Sequence, residues 1–285
     1  MPGMFCRHNR LTAKCPICSR EQQDELRSKA PVRPRHVAPR KSGASSTPRT
    51  RGASGGLVTR KLARAADDGY RNPLVPGLRA TADAERLAVA LSDAAARLEP
   101  PGPYPAIAEE PDLEQATWLA FLLALGEQPP PLWEIDAVPE AKRRTAAAYR
   151  AWAERAGSQQ AAFTGEESWT PERRFGRVFE RLALPGFGRA ARYDLLTALG
   201  AAGRYPLAAD AVHFVEDDAT TLAAKRALVS GDRMLLERRA RDLATACDLP
   251  LAALDRGLAV WGTPGEHVDL TADPAPSVAA ALDLR

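Results

Sequence analysis

The sequence predicts an all-α fold. Two observations carry this. Apolar residues recur at i, i+3, i+4 and i+7 through most of the chain from residue 67 to 272, in stretches bounded by proline and glycine. No run of alternating β-branched residues marks a strand, and no internal repeat is visible. Seven to nine helices are expected.

The elements follow in order. Residues 81–98 place Leu87, Ala90, Leu91, Ala94, Ala95 and Leu98 on one helical face and stop at Pro100-Pro101. Residues 113–125 are apolar nearly all round, with Trp118, Phe121 and Leu122, which predicts a central buried helix. Residues 139–156 are amphipathic, with Tyr149 and Trp152 three apart. Thr170-Pro171 reads as an N-cap followed by proline at the first helical position, opening a helix to about 184. Further helices fit 189–199, 220–228, 232–247 and 249–260. The end, 273–285, reads as a flexible tail. Aromatics are only 6% of the chain, so Leu, Ala and Val are expected to fill much of the core.

Charge is unevenly placed. The net is +3 over 285 residues, yet residues 26–65 carry 11 Lys and Arg and no Asp or Glu. With residues 1–25 near neutral, 66–285 keeps 24 basic and 33 acidic residues, a net of −9. Residues 25–66, rich in Pro, Gly, Ser and Arg, have little to bury and are read as a basic disordered linker. Non-specific attraction to nucleic acid would come from this arm or from a local patch. No apolar run approaches the roughly 18–20 residues of a membrane span, and MPGMFCRHNR has no signal-peptide core. A cytoplasmic location and no membrane partner are expected.

Residues 1–24 hold three of the four cysteines. Cys6, His8, Cys15 and Cys18 read C-x-H-x6-C-x2-C, a donor set for a structural Zn2+ in a small knuckle. His36 is an alternative ligand, and incidental thiols in an unstructured end are the plain alternative. No glutamate sits beside these ligands to act as a base, so the metal is read as structural.

The most informative stretch is RLALPGFGRAARYDLLTALGAAGRYPLAADAVHF, residues 181–214. A helix ends near Leu184, Pro185-Gly186-Phe187-Gly188 turns, and a second helix starts at Arg189. Glycines permit positive φ and close backbone approach, and a helix start presents free N–H groups to an anion. A plain αα-turn would look much the same. The pattern L-P-G-hydrophobic-G resembles the helix-hairpin-helix of the base-excision DNA glycosylase superfamily. That resemblance implies an all-α helix-hairpin-helix domain over 67–272 and a grip on DNA phosphate at Gly186, Phe187, Gly188 and Arg189, with Phe187 as the plug. It also implies a monovalent cation at the hairpin. In the same superfamily a catalytic aspartate follows the second hairpin helix after a short Gly/Pro loop, and Asp210 stands there. A carboxylate there can stabilise positive charge on a sugar or take a proton from a nucleophile. The plain alternative is that Asp210 caps a helix beginning near Ala211. Asp217 and Asp218 compete with it, and His213 is read as a satisfied, half-buried residue.

Two departures narrow the chemistry. The position of the family's Schiff-base lysine is Ala190, and the four-cysteine iron–sulfur loop of some members is missing. Within the superfamily, the alpha-glutamyl/putrescinyl thymine pyrophosphorylases are the more similar branch. The similarity rests on CRHNR…CPICS, the hairpin 184–188 and Ala224-Lys225-Arg226 before Gly231-Asp232. It implies action at a base substituent, with Lys225 and Arg226 as phosphate contacts; a solvated helix face is the alternative. The expected function is processing of a modified thymine or pyrimidine in DNA, bound by hairpin and arm. The competing readings are a non-catalytic DNA-binding or interaction module, and an enzyme of free nucleotides.

Overall fold

The computed structural model describes residues 65–127, 134–215, 217–263 and 273–284. The expected zinc knuckle and almost all of the basic linker lie outside these residues, as does Trp133. The described residues form helices and loops with no strand among them. The helices are α1 (Thr81–Ala96), α2 (Pro105–Glu109), α3 (Leu113–Ala124), α4 (Glu140–Arg155), α5 (Gln159–Thr164), α6 (Pro171–Arg181), α7 (Arg189–Ala201), α8 (Ala219–Leu228), α9 (Arg233–Ala246), α10 (Leu251–Gly262) and α11 (Pro276–Ala281). A 3-10 turn covers Ile135–Ala137. The helix count exceeds the expected seven to nine because α2, α5 and α11 are too short to show a periodic face.

Side chains at the helix starts explain five of the eleven boundaries. Asp112, Ser158, Thr170, Asp218 and Asp232 each accept a hydrogen bond from the backbone N–H three residues on. Each such cap satisfies one of the N–H groups a helix leaves open at its start.

Two cores organise the packing. The first lies among α3–α7 and is aromatic: Trp118, Phe121, Tyr149, Trp152, Phe163, Phe175, Phe179, Phe187, Tyr193 and Tyr205 are all buried in it. Phe121 and Tyr149 stack 3.8 Å apart at its centre. The second lies among α1 and α8–α11 and is built of Leu, Ala and Val, with Trp261 and Phe214 as its buried aromatics. The expectation of an aliphatic core therefore holds for the second core only. Here α10 lies directly on α1: a Cβ on Gly257 would come within 2.9 Å of the Leu91 Cα, so only glycine permits that approach.

The end of the chain differs from the flexible tail read in the sequence. Val278 and Leu282 are fully buried in the second core. Tyr70 Oη donates to the Leu282 carbonyl at 2.7 Å, and Asn72 Nδ2 donates to the Ala281 carbonyl at 3.0 Å and to Asp283 at 2.7 Å. A six-residue helix has too few apolar positions to announce itself, but two of them suffice to dock it.

Candidate functional site

The hairpin forms between α6 and α7. Gly186 has φ +74°, a left-handed conformation that glycine takes without a Cβ clash. A Cβ there would also meet Thr145 Oγ1 at 2.5 Å, and this hydroxyl donates to the Pro185 carbonyl at 2.9 Å. Phe187 turns inward and lies 5.2 Å from the Phe121 ring, so it acts as the plug and anchors the turn in the aromatic core. Gly188 is exposed and is the N-cap of α7, with no side chain to cap the helix. The first N–H groups of α7 thus lack a side-chain acceptor of the kind found at five other helix starts among the described residues.

Arg189 departs from the expected phosphate contact. Its side chain is fully buried, ion-paired to Asp218 through Nε and to Asp255 at 2.8 Å through Nη1. Nη1 also donates to the Val212 carbonyl at 2.8 Å. The guanidinium is directed into the protein because two carboxylates and a carbonyl wait there. Burial pushes the Asp255 carboxyl up to about 6, although Arg189 pulls it down. Asp194, on the inner side of α7, is also raised, again chiefly by burial.

Asp210 lies on a strap, residues 210–215, that has no regular structure. No helix begins at Ala211, so Asp210 is not a cap. Asp218 takes that role for α8, accepting from Thr221 N–H at 2.9 Å. Asp218 is therefore occupied by Arg189 and by capping, and Asp217 forms an exposed pair with Lys225. Of the three aspartates, Asp210 remains.

The strap is fixed along its length. Tyr193 Oη donates to the Ala211 carbonyl at 3.2 Å. Glu237 on α9 accepts from Val212 N–H at 3.0 Å and from Phe214 N–H at 2.8 Å. Arg189 holds Val212 as described. His213 takes φ +58°, uncommon for a residue with a side chain, and its ring stacks 4.2 Å from Phe179. His213 Nε2 lies 2.9 Å from Asp210 Oδ1. His213 is 17% exposed and Asp210 is 36% exposed, so the carboxylate is reachable while its partner is largely covered. Gly176 on α6 makes room: a Cβ there would come within 2.7 Å of Asp210 Oδ2. Arg241 donates to the Asp210 carbonyl at 3.4 Å.

A cleft of about 300 Å3 is lined in part by Phe175, Thr197, Ala208, Ala209 and Ala252; Asp210 itself is not among its lining residues. Ala208 and Ala209 are the two residues before Asp210, and Phe175 precedes Gly176. A smaller cavity of about 110 Å3 shares Leu98, Thr197 and Ala252 with it and is lined also by Tyr193, Asp194 and Asp255. The Thr197 hydroxyl is buried without a hydrogen-bond partner at this junction. The walls are mostly apolar, with a few polar residues among the lining, which is the usual make-up of a small-ligand site.

The other expected positions divide. Lys225 is partly exposed and lines a separate pocket beyond the far end of the strap. Arg226 corrects the expectation of a phosphate contact: its guanidinium lies 4.4 Å over Trp261 and pairs with Asp83 at 3.4 Å, so it braces the second core. Trp118, Trp152 and Trp261 are buried on their helices, and Trp169 is buried in the loop before α6. Glu237, Tyr193 and Gly176 were not legible as site residues. Only Gly176, a lone glycine inside a helix, left a trace in the sequence. Among the described residues no group of His, Cys, Asp and Glu is arranged to hold a metal, and no helix is long and apolar enough to cross a membrane.

Residues 136–265 match the alpha-glutamyl/putrescinyl thymine pyrophosphorylase clade 3 family. The match spans the hairpin, the Asp210 strap and α8–α10. It leaves out the Cys/His segment and α1–α3, so the N-terminal CRHNR…CPICS stretch carries none of it. Neither the curated proteins nor the solved structures give a match.

Proposed function

We propose that the chain is an enzyme that processes a modified thymine in DNA, with Asp210 as the catalytic carboxylate and His213 as its positioning partner. The observation that carries this reading is the carboxylate itself. It is accessible, is bonded to a stacked histidine, and sits on a strap held by Glu237, Arg189 and Tyr193, directly after two residues, Ala208 and Ala209, that line a largely apolar cleft. A base turned out of the helix can enter such a cleft and be stacked against its walls. Asp210 then takes a proton from the incoming nucleophile, or faces positive charge as a leaving group departs. The family match over 136–265 supports placing the reaction at a thymine substituent. Ala190 in place of a lysine argues against Schiff-base chemistry at the hairpin.

DNA is gripped at the exposed turn Gly186–Gly188, where N–H groups at the start of α7 meet a phosphate and a monovalent cation can sit at the hairpin. The arm 25–66 adds salt-dependent attachment. Cys6, His8, Cys15 and Cys18 hold one structural zinc, which metal analysis of the full chain reads as one equivalent, lost in Cys15→Ser.

The test is mass spectrometry of nucleosides from DNA carrying modified thymine, incubated with the protein. The wild type changes the modified nucleoside. Asp210→Asn, nearly isosteric, loses about a hundredfold or more in rate while DNA affinity and its salt dependence stay as in the wild type. Wild-type turnover by Asp210→Asn would exclude the assignment. Binding without turnover by any form of the protein would favour the non-catalytic module.

A further inference from the structure

We infer that the side of α9 that holds the Asp210 strap is a contact surface for a DNA strand, with Arg233, Arg238 and Arg241 on its phosphates. The inference rests on the reading of the chain as a DNA-acting protein and adds to it a surface that the hairpin and the arm do not include. At about 3.6 residues per turn, Arg233, Met234, Glu237, Arg238 and Arg241 fall on one side of α9. Glu237 accepts from Val212 and Phe214 N–H, and Arg241 donates to the Asp210 carbonyl at 3.4 Å, so this side stands at the strap.

Charge complementarity identifies the occupant. Residues 66–285 carry a net −9, so their overall charge opposes DNA, and a direct contact needs a place where cations gather without being neutralised. Surface arginines elsewhere pair with carboxylates along their own helix, as Arg97 does with Asp93, Arg150 with Glu154 and Arg177 with Glu180. On α9 they do not. Arg233, Arg238 and Arg241 are exposed, and none has an ion pair among the described residues, although Asp242 stands four positions after Arg238. The fourth arginine of the helix, Arg239, has a structural task, donating to the carbonyls of Leu228 and Val229 at the end of α8. Three guanidinium groups left open in this way are suited to phosphate oxygens, which they meet in a planar, two-pronged geometry.

Neighbouring carboxylates are accounted for. Glu237 is committed to two strap N–H groups, Asp232 caps α9, and Asp210 is bonded to His213. Asp242 is the exposed competitor. From Arg233 to Arg241 the helix runs about 12 Å, a length over which one strand of a duplex presents about three phosphates. Met234 is 79% exposed on the same side. An apolar side chain among cations fits a strand that offers sugars and base edges along with its phosphates. A strand lying there passes the residue that carries the reacting carboxylate, since Arg241 touches the Asp210 backbone.

The test is fluorescence anisotropy of a short, unmodified DNA duplex titrated with the full chain at several salt concentrations. Wild type is expected to bind, with affinity falling as salt rises. Arg238→Gln and Arg241→Gln each weaken binding by roughly fivefold at physiological salt and lower the slope of log affinity against log salt by about 0.9. Arg238→Lys keeps the charge and the slope. Arg150→Gln removes the same net charge from a residue paired with Glu154 on α4 and changes neither quantity, which separates a local contact from overall charge. Met234→Ala weakens binding without altering the slope, and Asp242→Asn tightens it. Melting temperatures equal to that of the wild type show that these surface variants are folded. Wild-type binding with unchanged affinity and slope in Arg238→Gln and Arg241→Gln overturns this surface and leaves the DNA reading in place. No salt-dependent binding by the wild type overturns that reading and the surface with it.

Discussion

The two cores solve the same packing problem with different materials. The first uses large rings around Phe121 and Tyr149, whereas the second uses close helix approach made possible by Ala and Gly257. Rings bury much area per residue and adopt few rotamers, so the aromatic core gives a stiff seat for the hairpin through Phe187. The alanine-rich core brings backbones together and seats the strap through Val212 and Phe214. Asp210 stands where a strap anchored in one core crosses a helix, α6, anchored in the other. The difference teaches that hairpin and carboxylate rest mainly on different cores, and that buried Arg189 and Tyr193 on α7, with Phe179 under the His213 ring, link them.

Breaking that link gives the largest expected effect. Asp255→Ala leaves a buried guanidinium with half its charge partners and should cost about 3–5 kcal/mol. Urea unfolding measures it, and a cost below about 1 kcal/mol would show that the two cores do not depend on Arg189. Removing 273–285 tests the second core alone. It exposes the seats of Val278 and Leu282 and should cost roughly 2–4 kcal/mol at about 1.5–3 kcal/mol per buried aliphatic side chain, reduced by relaxation. An unchanged melting temperature would restore the loose tail read from the sequence.

The smallest effect is one of pH. Asp255 keeps its proton up to about 6 in the folded protein and, with an ordinary value of 3.8, loses it earlier when unfolded. Between these values the folded state binds more protons, so stability falls as pH rises from about 4 to about 6, by at most roughly 1.4 kcal/mol per unit. Asp194, also raised, acts in the same sense. The difference between wild type and Asp255→Asn isolates the contribution, and a flat difference across this window would count against it.

The sequence made the helices legible where local chemistry decides them. Thr170-Pro171 opens α6, and Leu113–Ala124 is the buried helix that its apolar run implies. The Pro-Gly-Phe-Gly turn was readable because φ at Gly186 and burial of Phe187 are local demands. Arg189 was misread for the opposite reason. A charged residue at a helix start looks like a surface contact, and its partners Asp218 and Asp255 are 29 and 66 positions away. Glu237 escaped for the same reason, since it satisfies two backbone N–H groups about 25 residues earlier and nothing in its own neighbourhood says so. Arg226 looks like a phosphate contact or a solvated cation in the sequence because no local feature tells that Trp261 and Asp83 enclose it.

Arg189 has a consequence for engineering. The residue that opens the helix behind the hairpin is also the tether of the strap that carries Asp210. The hairpin is therefore not a cassette. Transplanted into another helical protein, the turn would carry with it a buried cation lacking Asp218 and Asp255, and the donor left behind would lose the register of its own strap. Exchange between relatives should succeed only when the turn, the strap and the start of α8 move together with the α10 aspartate, as one inheritable unit scattered over some seventy positions of sequence.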